Sequence, residues 1–133
     1  MGITPLCWAA LINDPEATRL LIRSGADVDA TNDDGGTPLH AAAFLGRFGV
    51  VEILLESGAD TSLRNRDGGT ALDGASAPWD AGIAGIIQWV GGQLRLEVEM
   101  EEVKEGRRES VELIKARDRA DDETQDAETS NTG

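Results

Sequence analysis

The side chains best suited to catalysis are rare in this sequence. His40 is the only histidine and Cys7 the only cysteine among 133 residues. A hydrolase built on His40 would need a nucleophile, and a metal site would need a second ligand of the same kind nearby. A catalytic Cys7 would likewise need a general base. No spacing in the sequence supplies these groups, so we predict no enzyme activity, no catalytic residue, no metal ligand set and no cofactor.

The acidic run between residues 27 and 34 is the other chemical candidate, because calcium prefers several oxygen ligands. An EF-hand loop that begins at Asp27 places Pro38 at the twelfth position, where a bidentate glutamate is needed. A loop that begins at Asp29 places His40 there. We therefore interpret the run as a solvated turn. An acidic-residue metal-binding protein is the weaker alternative. Glycine pairs such as 68–69 lack the Walker lysine, so no nucleotide site is predicted.

The net charge narrows the classes of partner. The chain has 12 Lys and Arg against 25 Asp and Glu, which gives a net charge of −13 and a pI of about 4.3. Such a chain repels nucleic acids and anionic membrane surfaces. It also contains no apolar run of the roughly 18 residues that a spanning helix needs. We predict one domain in the cytoplasm, where a single cysteine stays reduced.

A repeat of 33 residues organises the first two-thirds of the chain. Thr4, Thr37 and Thr70 recur at this interval. The same interval relates three further sets: Gly2, Gly35 and Gly68; Leu6, Leu39 and Leu72; Gly25, Gly58 and Gly91. The predicted units are 2–34, 35–67 and 68–92, and the third departs furthest from the other two. A fixed period of this length indicates a stacked repeat protein.

Each unit has the pattern of two short helices and a turn. In the second unit, Thr37 is a good N-cap and Pro38 occupies the first helical position. Gly46 suits the left-handed end of that helix. A second helix then carries the apolar run 50–55 and stops at Gly58. One helix pair cannot bury its own apolar face, so the units must stack on one another.

The run 37–42, TPLHAA, and the run 54–60, LLESGAD, resemble the ankyrin repeat family in sequence as well as in period. The resemblance implies an all-α solenoid of stacked helix-turn-helix pairs with β-turn loops over residues 1–92. It also implies a binding surface on the concave face, no catalysis, and a structural hydrogen-bonding role for His40. The residues that match the structural motif are Thr4, Pro5, Leu6, Thr37, Pro38, Leu39, His40, Gly58, Thr70 and Leu72.

The two ends of the array differ. Gly2 already falls within a turn. We therefore expect either that this sequence is part of a longer protein or that the first unit itself caps the array. Residues 93–119 have an amphipathic pattern that predicts a capping helix, with a short extended stretch at 94–100 as an open alternative. Gly106 permits a break in that helix. We expect the acidic tail, residues 120–133, to be disordered.

Family resemblance places partner contacts at the turn tips and on the exposed side of the first helices. The positions are Leu11, Ile12, Asp33, Asp34, Phe44, Leu45, Arg64, Arg66 and Asp67, and we add Trp79 to them. Two interpretations stay open for the apolar ones: an exposed docking stripe, or residues partly covered by neighbouring helices. Trp79 would extend the stripe or staple the entry to the next helix. We expect Trp8 and Trp89 to pack inside the stack.

The function that fits these observations is a non-catalytic, monomeric module that binds a protein or peptide. The net charge favours a basic partner. A second interpretation is a regulatory or docking domain that contacts other parts of a longer protein.

Overall fold

The computed structural model describes residues 3–93, 95 and 99–131, with side chains described through residue 121. The helices are α1 (Pro5–Leu11), α2 (Pro15–Arg23), α3 (Pro38–Phe44), α4 (Phe48–Glu56), α5 (Ala71–Ser76), α6 (Ala81–Gln93) and α7 (Met100–Asn131). No strand occurs in these ranges, so the predicted all-α class is confirmed.

The three repeat threonines begin the inner row of helices. The side-chain oxygens of Thr4, Thr37 and Thr70 accept hydrogen bonds from backbone N–H groups in the first turns of α1, α3 and α5. In α3 and α5 the bond is reciprocal, because the side chains of His40 and Asp73 accept from the N–H of the capping threonine. Each cap satisfies donors that would otherwise lack a partner at a helix start.

The helices stack in two rows. α1, α3 and α5 contact one another in the inner row, and α2 contacts α4 in the outer row. Between the rows lies the main core, where Leu6, Leu39, Val50 and Leu54 are buried. Because each helix pair covers the apolar face of the next, the predicted stacking of units is what creates this core.

The third unit is completed by a different helix from the one the period predicts. α6 occupies the residues expected for its second helix, but α6 does not pack along α5 or α4. Instead, α7 lies against both α4 and α5, in the outer-row position. Its Ile114 is fully buried in the main core. The predicted third unit, residues 68–92, ends within α6, which carries Gly82, Gly85 and Gly91 and buries Ile87.

α7 fits because its backbone touches the turn after α3. Gly46 has a φ of +68°, and a Cβ there would lie 2.8 Å from the backbone nitrogen of Arg107. A Cβ on Gly106 would overlap the carbonyl oxygen of Gly46. The sequence permitted a break in the helix at Gly106, but the helix continues through it. Gly106 instead permits a close approach between α7 and the turn.

α7 also runs further than predicted. The segment 120–131 continues the helix, although the composition of the tail from residue 120 predicts disorder. No glycine or proline interrupts the sequence from residue 107 to residue 131, which leaves nothing to stop the helix. Residues 132–133, and the positions 94 and 96–98 of the expected extended stretch, lie outside the described residues.

The substitution Gly106→Ala should lower the free energy of unfolding by about 2 kcal/mol or more, because the new methyl group forces α7 away from the turn. Helix propensity alone would give the opposite sign, a gain of about 1 kcal/mol. Gly85→Ala in α6 is the matched control, since its Cβ would meet no atom within 4 Å. Urea unfolding of both variants checks the prediction, and equal stability of the two would contradict it.

Candidate functional site

Two turns project from the inner row and carry most of the predicted charged contacts. In the first, the Asn32 N–H donates to the Gly36 carbonyl (2.8 Å), and in the second the Asn65 N–H donates to that of Gly69 (2.9 Å). The two tips are joined, because the Arg66 N–H donates to the carbonyl of Asp34 (3.1 Å). The tips therefore form one ordered edge rather than two independent loops.

His40 holds this edge to the helices. The Thr37 N–H donates to Nδ1 of His40 (3.2 Å), so Nδ1 is an acceptor and Nε2 carries the proton. Nε2 then donates to the Gly69 carbonyl (2.9 Å), one repeat further on. Both ring nitrogens are used, and the ring links the start of α3 to the following turn. This geometry supports the structural role that the resemblance implied.

Cys7 occupies the position of His40 in the first unit and has no exposed surface. Burial raises the pKa of the Cys7 thiol, and hydrogen bonding with Thr4 and Asn32 offsets this only in part. A buried thiol with a raised pKa holds little thiolate near neutral pH. The side chain therefore packs in the core and is poorly suited to nucleophilic chemistry.

Cys7 should react with Ellman's reagent far more slowly in the folded protein than in urea, since the thiolate is both scarce and covered. The rate should rise as the pH is raised toward the thiol pKa. The double variant Cys7→Ala/Ser24→Cys, with its thiol at an exposed position, is the control and should react at once. Equal rates for the native protein and this control would contradict the burial of Cys7.

Between the turn tips and the helices lies a groove with a volume of about 680 Å³. Four carboxylates line it: Asp33, Asp34, Asp67 and Asp73. Its apolar floor includes Leu11 and Phe44, and α6 supplies Trp89 and Val90 on another side. Among the described residues, no lysine or arginine lines the groove. The arrangement combines a negative rim with an apolar floor, which suits a basic segment with apolar side chains.

The predicted apolar stripe is largely covered. Leu45 is only 3% exposed and packs against Ile87 of α6 and Val103 of α7. Leu11 and Phe44 are half-buried against the same cluster. Of the two interpretations left open, coverage by neighbouring helices is the correct one for Leu45. Leu45 is covered because α6 and α7 insert side chains between the inner helices and solvent.

The remaining predicted contacts divide between the edge and the far end of the array. Ile12 is half-buried beyond the end of α1 and does not line the groove. Arg64 and Arg66 are exposed and also lie outside it. The Arg64 Nη1 donates to the Gly68 carbonyl (2.6 Å) within its own turn. Trp79 lies at the opposite end, half-buried, with Lys104 Nζ 5.1 Å from its ring.

The other two tryptophans are exposed, although we expected them inside the stack. Trp8 is 43% and Trp89 63% exposed. Trp8 lies on α1 between the buried Cys7 and Ala9, so it faces away from the core. Trp89 is exposed because α6 does not join the outer row. As a result, Trp89 becomes a groove residue that the sequence analysis missed.

Arg107 is the second residue that the sequence analysis missed. It is 4% exposed, and its Nη1 and Nη2 donate to the carbonyls of Phe44 and Ala77, each at 3.0 Å. These carbonyls end α3 and α5, where a positive charge is favourable. Burial lowers the pKa of Arg107, but a guanidinium remains charged at neutral pH. Positions 103, 107, 110 and 114 share one helix face, so helical spacing could have placed Arg107 beside Val103 and Ile114, but it could not have shown the two carbonyls.

Replacing Arg107 with Met should lower the free energy of unfolding by about 2 to 4 kcal/mol, because two buried carbonyls lose their donors. Arg108→Met is the matched control. It removes the same charge from an exposed neighbour and should change stability by no more than about 0.5 kcal/mol. Thermal unfolding followed by circular dichroism distinguishes these outcomes. Similar losses in both variants would mean that charge, not the two hydrogen bonds, matters.

No group of three or more His, Cys, Asp or Glu side chains is arranged to hold a metal ion within the described residues. In the same part of the chain, no helix is long and apolar enough to cross a membrane.

The architecture defines a repeat solenoid with a lined groove, and the comparisons with known proteins identify which kind. The family described as ankyrin repeats (3 copies) matches residues 1–75. The crystal structure of the ankyrin repeat domain of Bcl-3, a unique member of the IkappaB protein family, is similar, with 32% identity and a TM-score of 0.54. The comparison with curated proteins gives no significant match.

This chain belongs to the ankyrin repeat family. The match with the Bcl-3 structure covers 65% of this chain and 37% of that one, so the chain spans little more than a third of its structural relative. The family match ends at residue 75, near the end of α5, which agrees with the departure of α6 from the repeat pattern. Ankyrin repeats are generally protein–protein interaction modules, and such domains are typically non-enzymatic.

Proposed function

We propose that this protein is a non-catalytic module that binds a protein or peptide segment in the groove between its turn tips and α6. The observation that carries the proposal is the groove itself, with four aspartates around an apolar floor. We further propose that the protein acts as a cytoplasmic monomer, in keeping with its single, buried cysteine.

The partner we propose is basic. Asp34 and Asp67 are exposed at the two joined tips, and Asp73 lies further along the same side. The Thr70 N–H donates to Asp73 and lowers the pKa of this carboxyl, so Asp73 is charged at neutral pH. The chain's overall charge of −13 adds attraction at longer range. Asp73 also lies 3.9 Å from Nη1 of the exposed Arg64, so Asp34 and Asp67 are the carboxylates that a segment rich in Lys or Arg would meet first.

Apolar contacts would supply most of the affinity. Trp89 is 63% exposed and lies on the α6 side of the groove. Large aromatic side chains that become covered on binding contribute strongly to protein interfaces. Phe44 is half-buried beneath, so a partner side chain would rest between the phenyl ring and the indole.

A regulatory or docking role within a longer protein is the second candidate function. The similar Bcl-3 structure has a chain much longer than the part matched here. In this version the segment in the groove belongs to the same polypeptide or to a stable partner. Both functions require the same groove chemistry, so binding of a basic peptide in the groove tests both of them.

A fluorescein-labelled peptide of alternating Arg and Leu should bind the protein, and its fluorescence anisotropy should rise on titration. The double variant Asp34→Asn/Asp67→Asn should raise the Kd by about tenfold, since two charge pairs are lost. Trp89→Ala should also weaken binding by about 1 kcal/mol or more. Leu45 is left unchanged, because its replacement would damage the core.

The matched control is Glu52→Gln/Glu56→Gln. It changes the net charge by the same amount at two exposed positions on the outer helix α4. If this control weakens binding as much as the aspartate variant, attraction by the total charge explains the result and the groove does not.

A further inference from the structure

A second cleft lies at the opposite end of the array from α1, where α5 ends against α7. Its volume is about 610 Å³. One wall is formed by Ala75, Ser76 and Ala77 at the end of α5, and the other by α7. Trp79 lies in the same cleft. None of its lining residues belongs to the acidic groove described above.

The cleft has the opposite charge to the rest of the protein. Four of the chain's 12 basic residues line it: Lys104, Arg107, Arg108 and Lys115. Glu112 is the one carboxylate among its lining residues. On a chain with a net charge of −13, a concave region with a surplus of cations is a local reversal of the electrostatic field.

Two of these cations are already engaged by other described residues. Arg107 donates to the Phe44 and Ala77 carbonyls, and Lys104 pairs with Glu101 at 3.2 Å. Arg108 and Lys115 are exposed. Among the side chains described through residue 121, neither has a carboxylate oxygen within 4.0 Å. These two charges are therefore the ones that a ligand would meet.

We propose that this cleft binds an acidic peptide segment of a partner protein. The cations form a row, since residues 104, 108 and 115 follow one side of α7. At a helical rise of 1.5 Å per residue, Lys104 and Lys115 lie about 16 Å apart along the axis. That length matches roughly five residues of extended chain. A free phosphate or carboxylate would meet one or two of these charges, whereas a segment with several Asp or Glu side chains meets the whole row.

Trp79 gives the cleft an apolar side. The Lys104 Nζ lies 5.1 Å from the ring centroid, and the Arg107 Cζ lies 5.7 Å from it. These cation–π contacts keep both cations beside the indole. An apolar side chain next to the acidic residues of the ligand would pack on Ala77 and Val111, which are half-buried.

The chain's own acidic tail does not fill this role, because α7 continues as a helix away from Lys115 through the tail to Asn131. A nucleic acid would meet the same cations but also the acidic surface around them, which would repel its continuous backbone charge. A short acidic peptide carries its charge only where the cleft is positive. The proposal is independent of the acidic groove.

The experiment is a titration of the full chain with a fluorescein-labelled peptide of alternating Glu and Ala, followed by anisotropy at low ionic strength. Saturable binding that weakens with added salt is expected. The double variant Arg108→Glu/Lys115→Glu should raise the Kd by about tenfold or more, since both unpaired cations are reversed. The matched control is Arg19→Glu/Arg23→Glu, which makes the same charge change on exposed positions of α2 and should bind nearly as the native protein does.

Proteins with a single tryptophan locate the peptide. A variant that retains only Trp79 should show a change of emission with the Glu peptide and none with the Arg–Leu peptide. A variant that retains only Trp89 should show the reverse. The two variants therefore distinguish a failure to bind in the groove from a failure to bind in the cleft.

The proposal would be overturned if the α2 control variant bound the Glu peptide as weakly as the Arg108/Lys115 variant does. It would also be overturned if the Glu peptide left the Trp79 emission unchanged. Tighter binding of a single-stranded oligonucleotide than of the Glu peptide, lost in the Arg108/Lys115 variant, would overturn the peptide assignment. Salt-sensitive self-association of the native protein, also lost in that variant, would replace the separate partner with a second copy.

Discussion

The approach of two glycine backbones, at Gly46 and Gly106, determines how this repeat array is completed. Side chains larger than hydrogen at Gly106 would keep α7 away from the turn after α3. With the helix in place, Val103 and Ile114 are buried, and Arg107 reaches the carbonyl ends of α3 and α5. α7 thus seals the open face that every stacked repeat must cover.

The same arrangement explains where the candidate binding surfaces lie. Because α7 takes the outer position, α6 is displaced toward the inner side, where Ile87 anchors it and Trp89 remains exposed. The groove therefore gains an aromatic wall that the repeats alone do not provide. The charged side of α7, meanwhile, faces the end of α5 and forms the basic cleft. The exchange of helices therefore supplies the aromatic wall of the groove and the cations of the cleft.

Much of the repeat region was predictable from sequence, because its determinants are local. Thr37, Pro38 and Gly46 specify a helix start and stop by backbone chemistry alone, and the period of 33 repeats that instruction. The choice between α6 and α7 for the last outer position was not predictable in this way. Both segments contain apolar residues at helical spacing, and the decision depends on a contact between residues 46 and 106. Arg107 was missed for a related reason, since its partners are carbonyls that no sequence pattern displays.

Closure by α7 also has an evolutionary consequence. A unit added to a stacked array needs a free stacking surface on each side. Here the surface beyond α5 is already occupied by a helix held through Arg107 and Gly106. Duplications at that end would have to expel it and uncover Ile114, whereas a copy inserted between the first two units would find matching neighbours. Natural variation in repeat number is therefore expected upstream of α5, with the glycine and the arginine of α7 retained together.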